Sequence, residues 1–313
     1  SYSFKQAQEL VRNSTLFTTH TPVPAGHDAF SEELMRGYFG HFADQLHLTW
    51  DEFFSLGKDG ENRDSKFSMS VLAMNFSQYV NGVSRIHARV SRDMFSYLYK
   101  GYFSRELHID YVTNGVHHST WTSKAWLNLY KQTFSEAYLQ DESNDKYWKK
   151  IYEVEDSVIW NTHNNEKKNL IEFVKKRLKK DFTKRAENPQ LYFQTINELT
   201  EDKFVVGFAR RFATYKRANL LFTNLERLKQ IVDSGVVFLF AGKAHPQDGA
   251  GQNLIKRIIE ISKMPEFVGK IIFLENYDMY IAKHLIRGVD LWLNMPTRPL
   301  EASGTSGEKA VMN

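Results

Sequence analysis

The sequence predicts an α/β protein whose second half contains a parallel sheet with helices on both faces. Four short apolar runs, FVVGFA, VVFLFA, IIFL and VDLWL, recur between residues 204 and 293, with helical segments between them. Continuous apolar strands separated by helices are typical of parallel sheets that are buried on both sides. A basic segment follows the first run and a glycine-rich segment follows the last. Open α/β sheets bind ligands at this kind of strand end.

The composition is that of an ordinary globular protein. The 313 residues are enough for two domains with a sizeable core. The net charge of +4 is too small to predict nucleic-acid binding. The lack of cysteine excludes disulfides and thiolate metal sites. No apolar run approaches the roughly 20 residues that span a bilayer, and no signal-peptide pattern is present. We therefore expect a cytoplasmic protein without a membrane partner.

The first part of the chain predicts helices joined by loops. We expect helices over residues 3–13, 28–46 and 67–79, a further helix that ends near residue 100, and a short buried strand over 16–20. Pro22 and Pro24 require a loop after that strand. Residues 59–65 are polar and predict an exposed loop. Five apolar residues recur at helical spacing and predict a core-facing stripe; they are Phe30, Leu34, Tyr38, Phe39 and Phe42. Met69 and Met74 predict core packing as well.

Several polar residues of this part have both an ordinary and a functional interpretation. His20 and His27 are close enough in sequence to share a metal ion, but no third ligand is evident, so we predict no metal. His87 stands at a helix start, where a histidine ordinarily satisfies its hydrogen bonds locally. Asn114 lies in Thr-Asn-Gly, which is ordinarily a turn. The residues alone leave both alternatives open.

The segment from residue 114 to about residue 200 is rich in helix formers and in charge. Its most basic stretch, EKKNLIEFVKKRLKK over residues 166–180, could suggest nucleic acid. Apolar residues recur at helical spacing within it, namely Leu170, Ile171, Phe173, Val174 and Leu178. The lysines are therefore expected on the solvated face of an amphipathic helix.

The strand ends of the second half carry the candidate chemistry. We expect strands over 204–209, 236–241, 271–274 and 289–293, and helices over 215–234, 253–262 and 279–287. After the first strand, RRFATYKR places four cations in eight residues. Guanidinium groups suit phosphate oxygens, although a solvated loop remains an equal alternative.

The last segment, LEASGTSGEKAVMN, combines small residues with a lysine. Small residues let backbone N–H groups approach an anion, and a following helix adds its positive end. Lys309 at the start of that helix could hold a phosphate or react as an amine with an aldehyde. A plain turn with a helix cap is the simpler alternative.

Taken together, these segments resemble the α-glucan phosphorylases that act on glycogen, starch and maltodextrin. LEASGTSGEKAVMN is similar to the segment that carries the cofactor lysine of that family. The other matching segments follow in the family's order from Phe17 to Asn313, and they are FTTHTPVPAGHD, NGVSRIH, Thr-Asn-Gly at 113–115, RRFATYKR, Gly-Lys-Ala at 242–244 and Glu-Asn-Tyr at 275–277. Glu308 replaces a common methionine, and residues 296–300 differ from the loop of the animal enzymes. These departures indicate the short bacterial type.

The resemblance implies two Rossmann-like domains of the GT-B glycosyltransferase type, present here as an internal part of a longer polypeptide. Residues 1–113 would form the end of an N-terminal glucan-binding domain. Residues 114–313 would open a C-terminal domain that binds pyridoxal phosphate, with a helical bridge to residue 200 and the parallel sheet from 201. The resemblance also implies that this part alone is inactive.

The resemblance further implies the cofactor and the site residues. Pyridoxal 5'-phosphate would form a Schiff base with Lys309. Its other contacts would be Tyr277, Arg210, Lys216, Gly304 and Thr305. Arg211 and Lys216 would hold the substrate phosphate and the cofactor phosphate, and Lys243 is a secondary candidate. Residues that would contact the glucosyl unit are His20, His87, Asn114, Glu301, Ser303 and Gly304. We count Arg211, Lys216, His87 and Glu301 as the catalytic set.

The reaction that this resemblance implies is phosphorolysis of terminal α-1,4-linked glucose, giving glucose 1-phosphate with retention. The partners are then an α-1,4-glucan and inorganic phosphate. Whether the protein forms a homodimer is left open. The cofactor's phosphate acts in proton transfer in this family, unlike the paired carboxylates of glycosidases. Two alternatives remain: a nucleotide-sugar-dependent glucan synthase of the same fold, which would lack the Schiff-base lysine, and a non-catalytic glucan-binding relative.

Overall fold

The computed structural model describes residues 2–60 and 64–313, so part of the predicted polar loop over 59–65 lies outside the described residues. The chain divides into two compact units. Unit 1 comprises Ser1–Asn114 and Thr297–Gly304, and unit 2 comprises Gly115–Pro296 and Thr305–Asn313. Each unit combines helices with a parallel sheet, which confirms the predicted α/β class.

Unit 1 contains five helices and five short strands in its described residues. The helices are α1 (Phe4–Asn13), α2 (Glu32–Gln45), α3 (Trp50–Ser55), α4 (Met69–Asn75) and α5 (Arg85–Phe95). The strands are β1 (Leu16–Thr18), β2 (Ala29–Phe30), β3 (Phe67–Ser68), β4 (Tyr79–Gly82) and β5 (Ile109–Tyr111). Three of them form a parallel sheet in the order β1-β4-β5, and β2 pairs with β3 in antiparallel fashion.

Two predicted helices of unit 1 begin later than expected. Residues 29–30 and 67–68 pair with each other as the short strands β2 and β3 instead of opening the helices. Ser31 and Ser68 then cap α2 and α4, because each side chain accepts a backbone N–H from the first helical turn. The second predicted helix also ends early, since Tyr79 already belongs to β4.

The apolar stripe over residues 30–42 is predicted to face the core, and that prediction is wrong for all of its residues except Phe30, which is partly buried against a core cluster. Leu34, Tyr38 and Phe39 are 47%, 71% and 44% exposed. With neighbours from α1 and α4 they line an open apolar groove of about 820 Å³. Met69 is also exposed, whereas Met74 is buried as predicted. The spacing of apolar residues predicts that a helix has an apolar face, but it does not predict what covers that face.

Unit 2 contains nine helices and four strands. The helices are α6 (His118–Trp121), α7 (Lys124–Phe134), α8 (Asp145–Trp148), α9 (Asp156–Arg185), α10 (Pro189–Glu198), α11 (Leu225–Asp233), α12 (Gly249–Ser262), α13 (Met279–Gly288) and α14 (Thr305–Val311). The strands are β6 (Phe204–Ala209), β7 (Val236–Ala241), β8 (Ile271–Leu274) and β9 (Leu291–Trp292). Within the described ranges, no helix is both long and apolar enough to cross a bilayer.

The sheet of unit 2 is parallel and has a separate core on each face. Alternate residues of β6 point to opposite sides: Val205 packs with α9 and α13, and Val206 packs with α11 and α12. The apolar residues predicted for α9 are in the first core, where Leu170 and Val174 are fully buried. The predicted amphipathic helix is therefore confirmed.

The strand order of unit 2 is β8-β7-β6-β9. From β6 the chain first adds strands on one side and then returns to add β9 on the other. The carboxyl ends of β6 and β9 thus flank the point at which the strand order reverses. In open α/β sheets a ligand crevice lies at this point.

Two predicted elements of unit 2 differ from the structure. The helix expected over 215–234 is two short 3-10 turns followed by α11, because Arg217 adopts a left-handed conformation (φ 53°) and Asn224 caps a new helix. The strand expected over 289–293 shortens to β9. The Asp290 side chain there accepts the Val205 N–H at 2.7 Å, in place of a backbone carbonyl.

Asp290 is the centre of a buried polar network. Its carboxylate also accepts hydrogen bonds from His163 Nε2 at 2.8 Å and Lys167 Nζ at 2.9 Å. Burial raises the pKa of Asp290, but the hydrogen bonds from His163, the Val205 N–H and Lys167 outweigh burial and lower it. The lysine was predicted on the solvated face of its helix, and the structure instead buries it against this carboxylate.

We predict that Asp290→Asn destabilises the protein by about 3 kcal/mol at neutral pH, because Lys167 is left buried without a counter-charge. Urea denaturation measures this change. The control is Asp233→Asn, whose carboxylate pairs with Lys229 and Lys270 at the surface and should change stability little. The folded-state pKa of Asp290 is lowered, so its contribution is present above the ordinary pKa of an aspartate and is lost as the pH falls through the folded value. Equal losses in the two variants would contradict the assignment.

Candidate functional site

The loops after β6 and β9 meet at the reversal of the strand order in unit 2. Arg210 follows β6 directly and is buried, and its Nη1 donates a hydrogen bond to Asn294 Oδ1 after β9. Arg217 Nε donates to the carbonyl of Met295 at 2.6 Å, and its Nη2 donates to that of Pro296. Two arginines of the basic loop therefore brace the segment that leads towards the glycine-rich residues.

The other two cations of this loop differ in exposure. Lys216 is buried, and its Nζ lies 4.9 Å from the centroid of the Tyr215 ring. Arg211 is exposed. Sequence reasoning treated the four cations as one anion-binding group, but the structure gives them separate tasks. Arg217 directs its guanidinium to the backbone carbonyls of residues 295 and 296, and Arg210 directs its guanidinium to the Asn294 side chain.

The loop after β7 packs tightly against the basic loop. Gly242 has φ 149°, and a Cβ added there would lie 2.0 Å from the carbonyl oxygen of Arg210. Only glycine fits this approach. The carbonyl of Lys243 accepts the Phe212 N–H, whereas its side chain is exposed. Lys243 of the Gly-Lys-Ala loop thus supports the basic loop through its backbone carbonyl.

Tyr277 follows β8 and is partly buried at the same edge of the sheet. Burial raises the pKa of its phenol, and the nearby Arg210 opposes this shift. The hydroxyl therefore stays protonated near neutral pH and can donate a hydrogen bond. Tyr277 and Arg210, both predicted as cofactor contacts, are neighbours in unit 2.

Lys309 lies in the second turn of α14 rather than at its start, because the helix begins at Thr305. Its side chain is partly buried, and Nζ lies 3.8 Å from the centroid of the Trp121 ring. Burial lowers the pKa of the Lys309 amine, and Glu308 opposes this shift. A lowered pKa increases the fraction of neutral amine, which is the form that adds to an aldehyde. Sequence reasoning missed Trp121, since nothing in its neighbourhood marks it as a partner of a lysine almost 190 residues away.

His87 in unit 1 is fully buried. The Val83 N–H donates to its Nδ1 at 3.1 Å, so the proton of the neutral ring is on Nε2. Burial lowers the pKa of His87, and the Thr21 carbonyl opposes this shift. The Nε2 atom of His87 is buried without a hydrogen-bond partner among the described residues, as Ser303 Oγ is, and the contact of His87 with a glucosyl unit stays a prediction. The geometry of His87 is that of a residue that positions the turn at 82–84.

That turn holds the loop at residues 301–304, which belongs to the same unit. Ser84 caps α5, since its Oγ accepts the His87 N–H, and the same hydroxyl donates to the carbonyl of Ala302 at 2.5 Å. Next to Ala302, Ser303 Oγ is buried and finds no hydrogen-bond partner among the described residues. A buried hydroxyl without a partner is an expected feature of a site that binds a ligand. Glu301 and Gly304 are partly exposed on either side.

The remaining predicted glucan contacts of unit 1 flank this arrangement. The Asn114 N–H donates to the carbonyl of Val83, next to the His87 turn. His20 is exposed just after β1. His27 instead fixes its loop, with Nε2 on the Thr21 carbonyl and Nδ1 on Ser70 Oγ. In residues 2–60 and 64–313, no group of three or more histidine or carboxylate side chains could hold a metal ion.

Unit 2 is a doubly wound parallel sheet with a cationic loop at the reversal of its strand order and a partly buried amine on the helix that follows β9. These features are typical of α/β proteins with a ligand site at the carboxyl ends of their strands. The family model for carbohydrate phosphorylases matches residues 1–313. The chain belongs to this family.

Curated relatives agree with this assignment. The chain is 40% identical over 315 aligned residues to a maltodextrin phosphorylase from Thermococcus litoralis, covering 99% of this chain and 36% of the relative. It is 38% identical to a glycogen phosphorylase from Aquifex aeolicus, covering 99% of this chain and 45% of the relative. A glycogen phosphorylase from Mycobacterium tuberculosis is 37% identical, with 99% and 36% covered. The chain thus spans less than half the length of these relatives.

We predict that Ser84→Ala destabilises the protein by about 2 kcal/mol, because it removes both a helix cap and the hydrogen bond to Ala302. Ser31→Ala is the matched control, since Ser31 caps α2 through the Leu34 N–H alone. Its expected loss is about 1 kcal/mol. Chemical denaturation of both variants provides the comparison, and a Ser84 loss no larger than the Ser31 loss would contradict the second role.

Proposed function

We propose that this chain is part of an α-glucan phosphorylase that removes terminal α-1,4-linked glucose from glycogen or maltodextrin with inorganic phosphate, giving glucose 1-phosphate with retention. The observation that carries the proposal is the Lys309 amine, which is partly buried against Trp121 with a lowered pKa in a chain of the carbohydrate phosphorylase family. The names of the relatives support the substrate class, since they are glycogen and maltodextrin phosphorylases.

The residues present fit pyridoxal 5'-phosphate as the cofactor. A partly buried amine with a lowered pKa suits attachment to an aldehyde, and Lys309 would hold the cofactor in this way. Arg210 and Lys216 are buried cations at the carboxyl end of the sheet, where a phosphate group is expected. Tyr277, Gly304 and Thr305 complete the proposed contacts. When bound, the cofactor supplies a phosphate group that takes part in proton transfer.

Arg211 and Lys216 would carry the charge of the inorganic phosphate in this proposal. The buried ammonium of Lys216 lies in a medium of lower dielectric, where its attraction for an anion is stronger than in water. Arg211 is exposed and can present its guanidinium fork to a phosphate that arrives from solvent. Both positive charges would favour binding of the inorganic phosphate dianion over binding of the neutral alcohol group that leaves from the glucan.

The glucosyl unit would be bound mainly by residues of unit 1. Glu301 would accept hydrogen bonds from sugar hydroxyls, and His20 and Asn114 would provide further polar contacts. Ser303 and Gly304 would offer donors, and the Ser303 hydroxyl has no partner among the described residues. His87 would contact the sugar as well, and the hydrogen bond that its Nδ1 accepts would hold the turn that supports the 301–304 loop.

We further propose that the two units are parts of the two Rossmann-like domains of a GT-B glycosyltransferase, with the domain change near residues 113–114. The sheet order of unit 2 supports a doubly wound domain. Cytoplasmic location and homodimerisation belong to the same proposal.

The alternative is a nucleotide-sugar-dependent glucan synthase of the same fold, or a non-catalytic glucan-binding relative. A synthase would use Lys309 only as a cation towards the donor's phosphates, and a burial that lowers the amine's pKa opposes this use. A non-catalytic relative would bind maltodextrin without cofactor or turnover. The Lys309 environment therefore favours the phosphorylase.

We predict that borohydride reduction of the intact enzyme leaves a pyridoxyl-phosphate group on Lys309, detected by peptide mass mapping. Lys309→Arg is the control that keeps the charge and removes the reactive amine, and it should show no adduct and no phosphorolysis. An intact enzyme without an adduct would favour the synthase or the binder, and an adduct on another lysine would contradict the assignment of Lys309.

We predict that Lys216→Ala chiefly raises the KM for inorganic phosphate in the intact enzyme, by roughly tenfold or more, because a charge-assisted contact is lost. Steady-state kinetics at varied phosphate and at varied glucan separate the two effects. Lys243→Ala is the comparison, since that side chain is exposed and should change the phosphate KM far less. Equal effects on phosphate and glucan would argue that Lys216 is structural.

A further inference from the structure

The side-chain amide of Asn313 joins three backbone segments of unit 2. Its Oδ1 accepts the Ser123 N–H at 2.8 Å, at the start of α7. Its Nδ2 donates to the carbonyl of Lys309 at 2.9 Å and to that of Trp121 at 3.3 Å. One amide group thus connects the lysine of α14 with the tryptophan at the end of α6.

An amide is the side-chain group that can make all three of these hydrogen bonds. It provides one acceptor and two donors on a short stem. A carboxylate of the same size would keep the bond from Ser123 but would lose both donors and face two carbonyl oxygens. An apolar residue would leave the Ser123 N–H, which is largely buried, without its acceptor.

The partners of Asn313 are themselves held in place. Arg287 donates to the carbonyls of Thr120, Trp121 and Thr122, so the Trp121 carbonyl accepts from two sides. At the end of α14, the Tyr130 hydroxyl donates to the carbonyl of Met312 at 3.0 Å. The end of α6 and the end of α14 are therefore both ordered, and the amide links them directly.

We propose that Asn313 is a positioning residue for Lys309: its amide sets α14 against the end of α6 and thereby places the Lys309 amine over the Trp121 ring. The link to catalysis rests on the proposed function, in which Lys309 attaches the cofactor. The link to the amine's position rests only on the contacts within unit 2. The amine lies over the ring at 3.8 Å, and the same two residues offer their carbonyls to one amide.

This placement determines which charges the amine meets. Glu308 is the neighbouring carboxylate, and it opposes the pKa shift that burial produces. His118, on α6 beside Met312, is buried, and burial lowers its pKa so that the ring is neutral near neutral pH. When the amide link is broken, the amine is expected to move towards solvent and lose the desolvation that lowers its pKa.

The test compares Asn313→Asp with Asn188→Asp in the intact enzyme. Asn188 is the matched control, because it caps α10 by accepting the Gln190 N–H, and an aspartate does the same. Competitive acetylation of lysines across a pH titration, carried out on enzyme freed of cofactor and read by peptide mass, gives the midpoint for Lys309. The rate of imine formation with added pyridoxal phosphate, on enzyme freed of cofactor, is the second readout. Asn313→Ala removes the amide without adding a charge, and its midpoint decides the test, because the carboxylate of Asn313→Asp by itself raises the pKa of a nearby amine.

We expect the Lys309 midpoint to move upward in the Asn313 variants and imine formation to slow about fivefold or more, as for the loss of a hydrogen bond. The Asn188 variant should match the wild type in both. A folded Asn313 variant with a wild-type midpoint would overturn the positioning role, whether or not the cofactor binds. A shifted midpoint in an enzyme that never forms an imine would support the positioning role and defeat the proposed function instead.

Discussion

The hydrogen bond from the Val205 N–H to the Asp290 carboxylate is the interaction on which the architecture of unit 2 depends. It joins β9 to β6 at their starts, and His163 and Lys167 compensate the buried charge. Because β9 lies on the opposite side of β6 from β7, the strand order reverses there. The reversal brings Arg210 to Asn294 and Arg217 to the 295–296 segment at the other end of the same strands. A buried ionic network at the amino ends of β6 and β9 therefore supports a cationic loop at their carboxyl ends.

Burial has a second consequence, since it shifts the pKa values of three candidate site residues. It lowers the pKa of Lys309 and of His87, and it raises that of Tyr277. Each shift favours the neutral form, as desolvation does for any ionisable group. A neutral amine can attack an aldehyde, and a neutral phenol can donate a hydrogen bond. The permanent positive charges of the loop after β6 come from its arginines.

Much of the fold could be predicted from the sequence, and the exceptions share a cause. The strands of unit 2 were found because a strand covered on both faces must be apolar throughout, as in VVFLFA. The stripe of α2 was assigned to the core, yet Tyr38 is exposed, since a periodic pattern cannot say what packs on it. Residues 215–234 were assigned to one helix, but the left-handed Arg217 divides them. The side chain of Arg217 makes hydrogen bonds to the distant carbonyls of Met295 and Pro296, which no local pattern records.

The sequence by itself determined the α/β class, the membership of the family and the lysine segment, because each is recorded in local order: runs of apolar residues, their spacing, and motifs that are continuous in the chain. Only the tertiary structure decided that Trp121, Asn313 and Asn294 belong beside Lys309 and Arg210. It also decided that His87 is fully buried and that its Nδ1 accepts the Val83 N–H. These outcomes depend on contacts between residues far apart in the chain. Burial and hydrogen-bond partners are properties of those contacts, and no local pattern encodes them.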